Sequence, residues 1–322
     1  MAASDGRERV RYWLLQIESA KKREERYRKE GKRIRKVYGG EEGEKVPFNI
    51  LFSNTETMLP VMYSQVPRPV VQRRYKDEDA VGKAAAVAGQ RLLEFLLDTN
   101  VEGYETFHDA IRGAVMDALL PGRGVTAIRY EADTSGDVLQ SELICPERIS
   151  WDRVYFGFAR KWSKVPWVAF ERHLDRKTAR EWFGPKAEKM AFTPGDSEDE
   201  KYEGYREGKE DAERGTVCVY QIWDKDGGRK IRYVSPAYPD GLLREDDDPL
   251  GLTGFFNIPE PLQFVAKTDD LCPTALYLLY ENQANELNSL TVRITRLVKA
   301  IKARGIYDSS LGADIERLMD AD

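Results

Sequence analysis

Apolar positions recurring every three or four residues mark helices along much of this chain, and stretches with a period of two mark hairpins. The longest helical pattern follows Pro273 and meets neither proline nor glycine until Gly305, which predicts one helix over Ala275–Arg304. At 1.5 Å per residue it would be about 45 Å long. Thr274 offers an N-cap oxygen, and Gly305 can take the left-handed conformation that closes a helix. Leu287, Leu290, Ile294, Leu297 and Ile301 alternate steps of three and four, the spacing of a narrow seam that packs against a single neighbouring helix. Asn282, Gln283, Asn285, Glu286 and Asn288 make the first half polar on several faces. This pattern suits either a long core helix of an α+β protein or a helix that packs its seam against one helical partner.

Upstream, residues 5–37 predict a polar helix with one apolar patch at Trp13, Leu14 and Ile17. The run from Asn49 predicts an apolar helix that ends before Pro60 or kinks through it, followed by extended chain at Pro67 and Pro69. Residues 77–98 read as an alanine-rich helix carrying Leu92, Leu93, Phe95 and Leu96, and 103–120 as a second helix. Period-two alternation over 121–146, around a turn at Thr134–Asp137, predicts a β-hairpin packed on those helices. Its leading PGRG (residues 121–124) reads as a turn, because it lacks the GK[ST] and following helix of a phosphate loop. Residues 167–174 predict a strand running into a short helix, and 194–214, acidic with few aliphatics, a mobile loop. The clearest hairpin is TVCVYQIWDKDGGRKIRYVSP, turning at Asp226–Gly227–Gly228. Residues 238–264 are rich in Pro and Gly and predict little regular structure, with Glu245–Asp248 a solvated acidic turn that lacks EF-hand spacing.

With 322 residues, 41% of them hydrophobic, the chain can bury a sizeable core. A charged fraction of 33% with a net charge of -5 lacks the basic excess of a dedicated double-stranded DNA binder. No apolar run approaches the roughly 18 residues of a membrane span, and the N-terminus has no signal-peptide core, so the expectation is a soluble intracellular protein without a membrane partner. Cys145, Cys218 and Cys272 are far apart and outside any CxxC pattern, which predicts buried reduced thiols rather than disulfides or a zinc site. His108 and His173 have no adjacent nucleophile motif. No catalytic residue, metal ligand or cofactor is therefore expected, and no enzyme activity.

Charge concentrates in one place. Between Lys21 and Lys36 ten basic residues meet three acidic ones. Such a run either contacts phosphates, gaining affinity by counterion release, or is a solvated helix face laced with Glu–Lys and Glu–Arg pairs, the commoner outcome. Lys32, Arg33, Arg35 and Lys36, with Lys299, Lys302 and Arg304 at the end of the long helix, are the candidate DNA contacts.

Five stretches in order resemble the portal proteins of tailed double-stranded DNA bacteriophages, particularly short-tailed ones: NILFSNTETMLPVMYSQVPRPVVQRRY, WVAFERHLDRKTAREWFG, QIWDKDGGRK, DDDPLGLTGFFNIPEPL and LYENQANELNSLTVRITRLVKAIKARGIYD. The resemblance implies an α+β subunit with a helical and β wing (1–170), a first stem helix near 174–183 with the acidic loop (171–214), a β-containing clip (215–270) and a long stem helix leading to a tunnel loop (271–322). It implies a ring, usually a dodecamer, at a capsid vertex in the virion, assembled in the host cytoplasm, through which the genome is packaged and ejected. Its implied partners are further copies of itself, the large terminase, a tail adaptor, capsid and scaffold proteins, and double-stranded DNA bound without sequence specificity. Leu287, Leu290, Ile294, Leu297 and Ile301 would then form the stem interface. Family members continue past the position of Asp322 into a further wing helix and crown, which this sequence is expected to lack. The alternatives are a nucleic-acid-binding accessory protein or enzyme that uses residues 21–36, and a scaffold whose long helix dimerises.

Overall fold

The computed structural model of the protein describes residues 2–41, 48–74, 79–98, 103–135, 138–193, 215–248 and 251–300. The acidic loop at 194–214, the hairpin tip at 136–137 and everything after Ala300 lie outside the described residues. The fold is α+β, with seven α-helices and two antiparallel sheets among those residues.

A five-stranded sheet carries the main core. Its strands lie in sequence order, β3 (Val154–Phe156), β4 (Trp167–Asp175), β5 (Thr216–Asp224), β6 (Lys230–Val234) and β7 (Arg244–Asp247), every neighbour antiparallel. The alternation of β4 and β5 sends residues to two covered faces. Val168, Phe170, Val219 and Trp223 pack with Phe183, Phe255 and Phe256 on one side. Trp167, Ala169, Tyr220 and Ile222 face the helix α1 (Ala2–Arg23) on the other. That helix buries Val10, Trp13, Ile17 and Ala20, one stripe at steps of three and four.

Around this layer, α2 (Glu25–Gly39), α3 (Ile50–Met62) and α5 (Phe107–Leu119) build a second core with Leu51, Leu59, Val115 and Leu119. The helix α4 (Ala80–Asp98) lies beside α5. The hairpin β1 (Val125–Ser135) and β2 (Val138–Ile149) pairs from Val125↔Ile149 to Ser135↔Val138, and α5 packs on it, as its alternation predicts. Asn49 and Thr106 cap α3 and α5, accepting from the backbone N–H of Phe52 and Asp109. The short helix α6 (Arg176–Phe183) is capped by Asp175.

Three expectations are corrected. The helix over 5–37 is two helices meeting at Glu24, whose side chain turns into the core. Residues 244–247 form strand β7 rather than a solvated acidic turn, because Lys230 and Arg232 on β6 pair its Asp247 and Glu245. The long helix α7 (Glu281–Ala300) does not begin at Ala275: that residue is extended, Leu276–Leu279 make a 3-10 turn, and Thr274 is no cap. Burial of Ala275 and Tyr277 in the second core holds this segment as a packed turn. Strand β4 runs through positions 170 and 171 and pairs along its whole length with β5, so the residues on either side belong to one sheet. The segment expected as a first stem helix is the end of β4 followed by the eight-residue α6.

Candidate functional site

The long helix is anchored at its root and bare beyond it. Arg33 on α2 donates to both carboxylate oxygens of Glu281, at 2.6 and 2.9 Å, and to Glu30 at 2.9 Å. These hydrogen bonds raise the Arg33 guanidinium above its ordinary value. Ala284 is buried with Ile34, Leu51 and Tyr277. From there α7 leaves the core: Leu287, Leu290, Ile294 and Leu297 are 46% to 58% exposed. The Thr291 and Thr295 hydroxyls donate to the carbonyls of Leu287 and Thr291, so neither projects a free donor across the stripe. Arg33→Ala should loosen this root by about 1 kcal/mol, less than a buried pair because both partners are partly solvated. A double-mutant cycle with Glu281→Gln, read by thermal unfolding, checks it.

A second bare helix accompanies it. None of α4 is buried, and Val81, Ala85, Ala88 and Leu92 follow one another at steps of four, three and four, all exposed. Sequence reading gave this helix small residues early and leucines late, but not the seam.

Both bare helices spring from a body held at its centre by charge. Arg123 is fully buried and donates to Glu24 at 3.0 and 2.6 Å, and Arg28 adds a third bond to Glu24 at 3.1 Å. Burial alone would raise the Glu24 carboxyl, but the guanidinium groups of Arg123 and Arg28 outweigh it and hold the carboxyl below its ordinary range. The Arg123 guanidinium lies 4.9 Å from the Tyr27 ring centre and 4.8 Å from that of Phe156. PGRG is a turn, as expected, and each of its glycines has its own steric reason. Gly122 sits at φ +104°, and a Cβ at Gly124 would overlap the Ala114 carbonyl oxygen. Gly124→Ala should therefore cost about 1–3 kcal/mol in chemical denaturation. A cleft of about 450 Å³ opens beside this centre, lined by Arg26, Glu30, Phe158, Lys267 and Asp270 among others. Its mixed charges select no ligand class.

The basic segment is largely spent internally. Lys21 pairs with Glu171, Arg23 donates to the Phe156 carbonyl, Arg28 to the Val154 carbonyl, and Arg35 lies 3.7 Å from the buried Asp117. Of the candidate DNA contacts, Lys32 and Lys36 are exposed on α2, and Arg33 and Arg35 bridge to neighbours. Lys299 falls in α7, its side chain outside the described set, and Ile301, Lys302 and Arg304 lie outside the described residues.

On the α1 side of the main sheet, Glu171, His173 and Cys218 bring three donor atoms within 4.8 Å of one another. Burial would raise the Glu171 carboxyl, but hydrogen bonds from His173, Tyr155 and Lys21 bring it down to about 2. Burial, with the Glu171 charge, pushes the Cys218 thiol up to about 11. Sequence spacing could not disclose this trio, because Cys218 comes from β5 and meets His173 only through the cross-strand register. The His108 ring lies against Tyr63, tilted by 34° with ring centres 5.3 Å apart.

No model of a known protein family matches the chain, and no curated protein sequence matches it. No helix among the described residues is long and apolar enough to cross a membrane.

Proposed function

We propose that this chain is a structural subunit of a ring, of the portal type that its sequence resembles, with α7 as the stem helix. The observation that carries the proposal is the α7 stripe: Leu287, Leu290, Ile294 and Leu297 keep the spacing of a helix-pairing seam yet face solvent in the isolated chain. A core helix would have buried them. The α4 seam supplies a second surface of similar length, which a heterologous ring needs, because each copy meets its two neighbours through different faces. In the ring, the polar side of α7 would turn toward passing DNA, with Lys299, Lys302 and Arg304 as its candidate contacts. The portal resemblance adds the remaining roles: genome passage, docking of terminase and tail adaptor, and a place at the capsid vertex. The proposal gives the chain no turnover of its own.

Negative-stain images of the purified chain should show rings. The competing reading, a nucleic-acid-binding protein using residues 21–36, predicts a monomer or dimer whose DNA affinity falls steeply with salt. The internal hydrogen bonds of Arg28 and Arg33 disfavour it, since phosphate contacts there would have to break them.

A further inference from the structure

We propose that Glu171, His173 and Cys218 form a zinc-binding site on the α1 face of the main sheet, with a fourth position left to water. Thiolate, imidazole and carboxylate together suit a borderline-soft ion that prefers four tetrahedral ligands. His173 and Cys218 are direct cross-strand partners, and Glu171 lies two residues before His173 on the same face. Zinc bonds of roughly 2.0–2.3 Å at tetrahedral angles place ligand atoms about 3.3–3.6 Å apart. The Glu171 Oε1 to His173 Nε2 distance is already 3.1 Å. With the three donor atoms within 4.8 Å of one another, Sγ has about an ångström to travel, which a small turn about the Cys218 side chain supplies.

The carboxylate is oriented for this. Its Oε1 faces His173, and its Oε2 accepts from Tyr155 at 2.6 Å and from Lys21 at 3.2 Å, the outer support that metal-bound carboxylates receive. Tyr220 in turn accepts from Lys21 at 2.7 Å, which fixes the ammonium. The Lys21 charge does not forbid a cation. Two positive charges on the ion are matched by the Glu171 carboxylate and a Cys218 thiolate, so Lys21 faces a neutral centre, and the thiol proton leaves to solvent as the ion binds. His173 is part-exposed, which gives the ion an entry path and the fourth position a water.

The test uses the full chain after chelator treatment, titrated with Zn²⁺ by calorimetry and with Co²⁺ by absorption. One ion per chain should bind, and Co²⁺ should give the near-ultraviolet thiolate charge-transfer band with strong visible bands of tetrahedral coordination. Cys218→Ser should abolish the charge-transfer band, whereas Cys145→Ser and Cys272→Ser keep it. His173→Ala, at a part-exposed position where folding is not at stake, should weaken Zn²⁺ binding at least tenfold. Tyr155→Phe should weaken it about tenfold through loss of carboxylate support. The proposal is overturned if the parent chain gives no thiolate band at saturating Co²⁺. It is equally overturned if the band survives in Cys218→Ser, or if His173→Ala leaves the affinity unchanged.

Discussion

Glu24→Gln is expected to destabilise the chain by about 3–5 kcal/mol, which places it among the costliest single substitutions outside the main core. The ground is that Arg123 is fully buried, with Glu24 as its carboxylate partner. Removing the negative charge leaves a guanidinium in a site that excludes water, and the Tyr27 and Phe156 rings offset only part of that loss. Replacing both partners, as in Glu24→Leu with Arg123→Met, should cost much less than the single change, because no charge is then stranded. Arg28 keeps its bonds to the backbone carbonyls of Asp152 and Val154 in that variant.

The pH dependence has a definite sign. Glu24 is held below its ordinary range in the fold, so its contribution is fully present above the unfolded carboxylate value and fades as pH falls through the folded one. The parent and Glu24→Gln should therefore differ most near neutrality and converge in acid. Urea melts of both chains at a series of pH values measure the gap.

Much of the fold was legible wherever local pattern decides structure. The Trp13 and Ile17 patch of α1, the Asp-Gly-Gly turn between β5 and β6, and the alternation of β1 and β2 each follow from spacing in a single stretch. What escaped was settled by partners distant in sequence. The run of acids in β7 reads as a solvated turn until Lys230, Arg232 and Arg9 arrive to pair it. Arg123 looks like any turn arginine until Glu24, 99 residues away, closes on it. The start of α7 is set by where Ala275 and Tyr277 pack, not by the proline and threonine before them. The helical spacing of Leu287, Leu290, Ile294 and Leu297 was legible, because it is local; whether these side chains lay inside or outside was not, because burial belongs to the tertiary fold.

Leu290→Asp and Ile294→Asp should each abolish assembly while leaving the subunit folded. In the isolated chain both side chains are about half exposed, so a carboxylate there keeps its water and costs folding little. Within a helix-to-helix contact it would lose that hydration without gaining a partner, at a cost on the order of several kcal/mol per contact. A ring repeats the contact at every subunit boundary, so the penalty recurs around the whole circle. The expected phenotype is a monomer with the parent's far-ultraviolet circular dichroism and a melting temperature close to that of the parent's dissociated subunit.

Sedimentation velocity of the parent chain beside Leu290→Asp and Ile294→Asp, at matched concentrations, tests the ring account most directly. The account predicts one large closed species for the parent and monomers for both variants. A parent that stays monomeric across the concentration series, or variants that form the parent's oligomer while their thermal unfolding drops sharply, would contradict it.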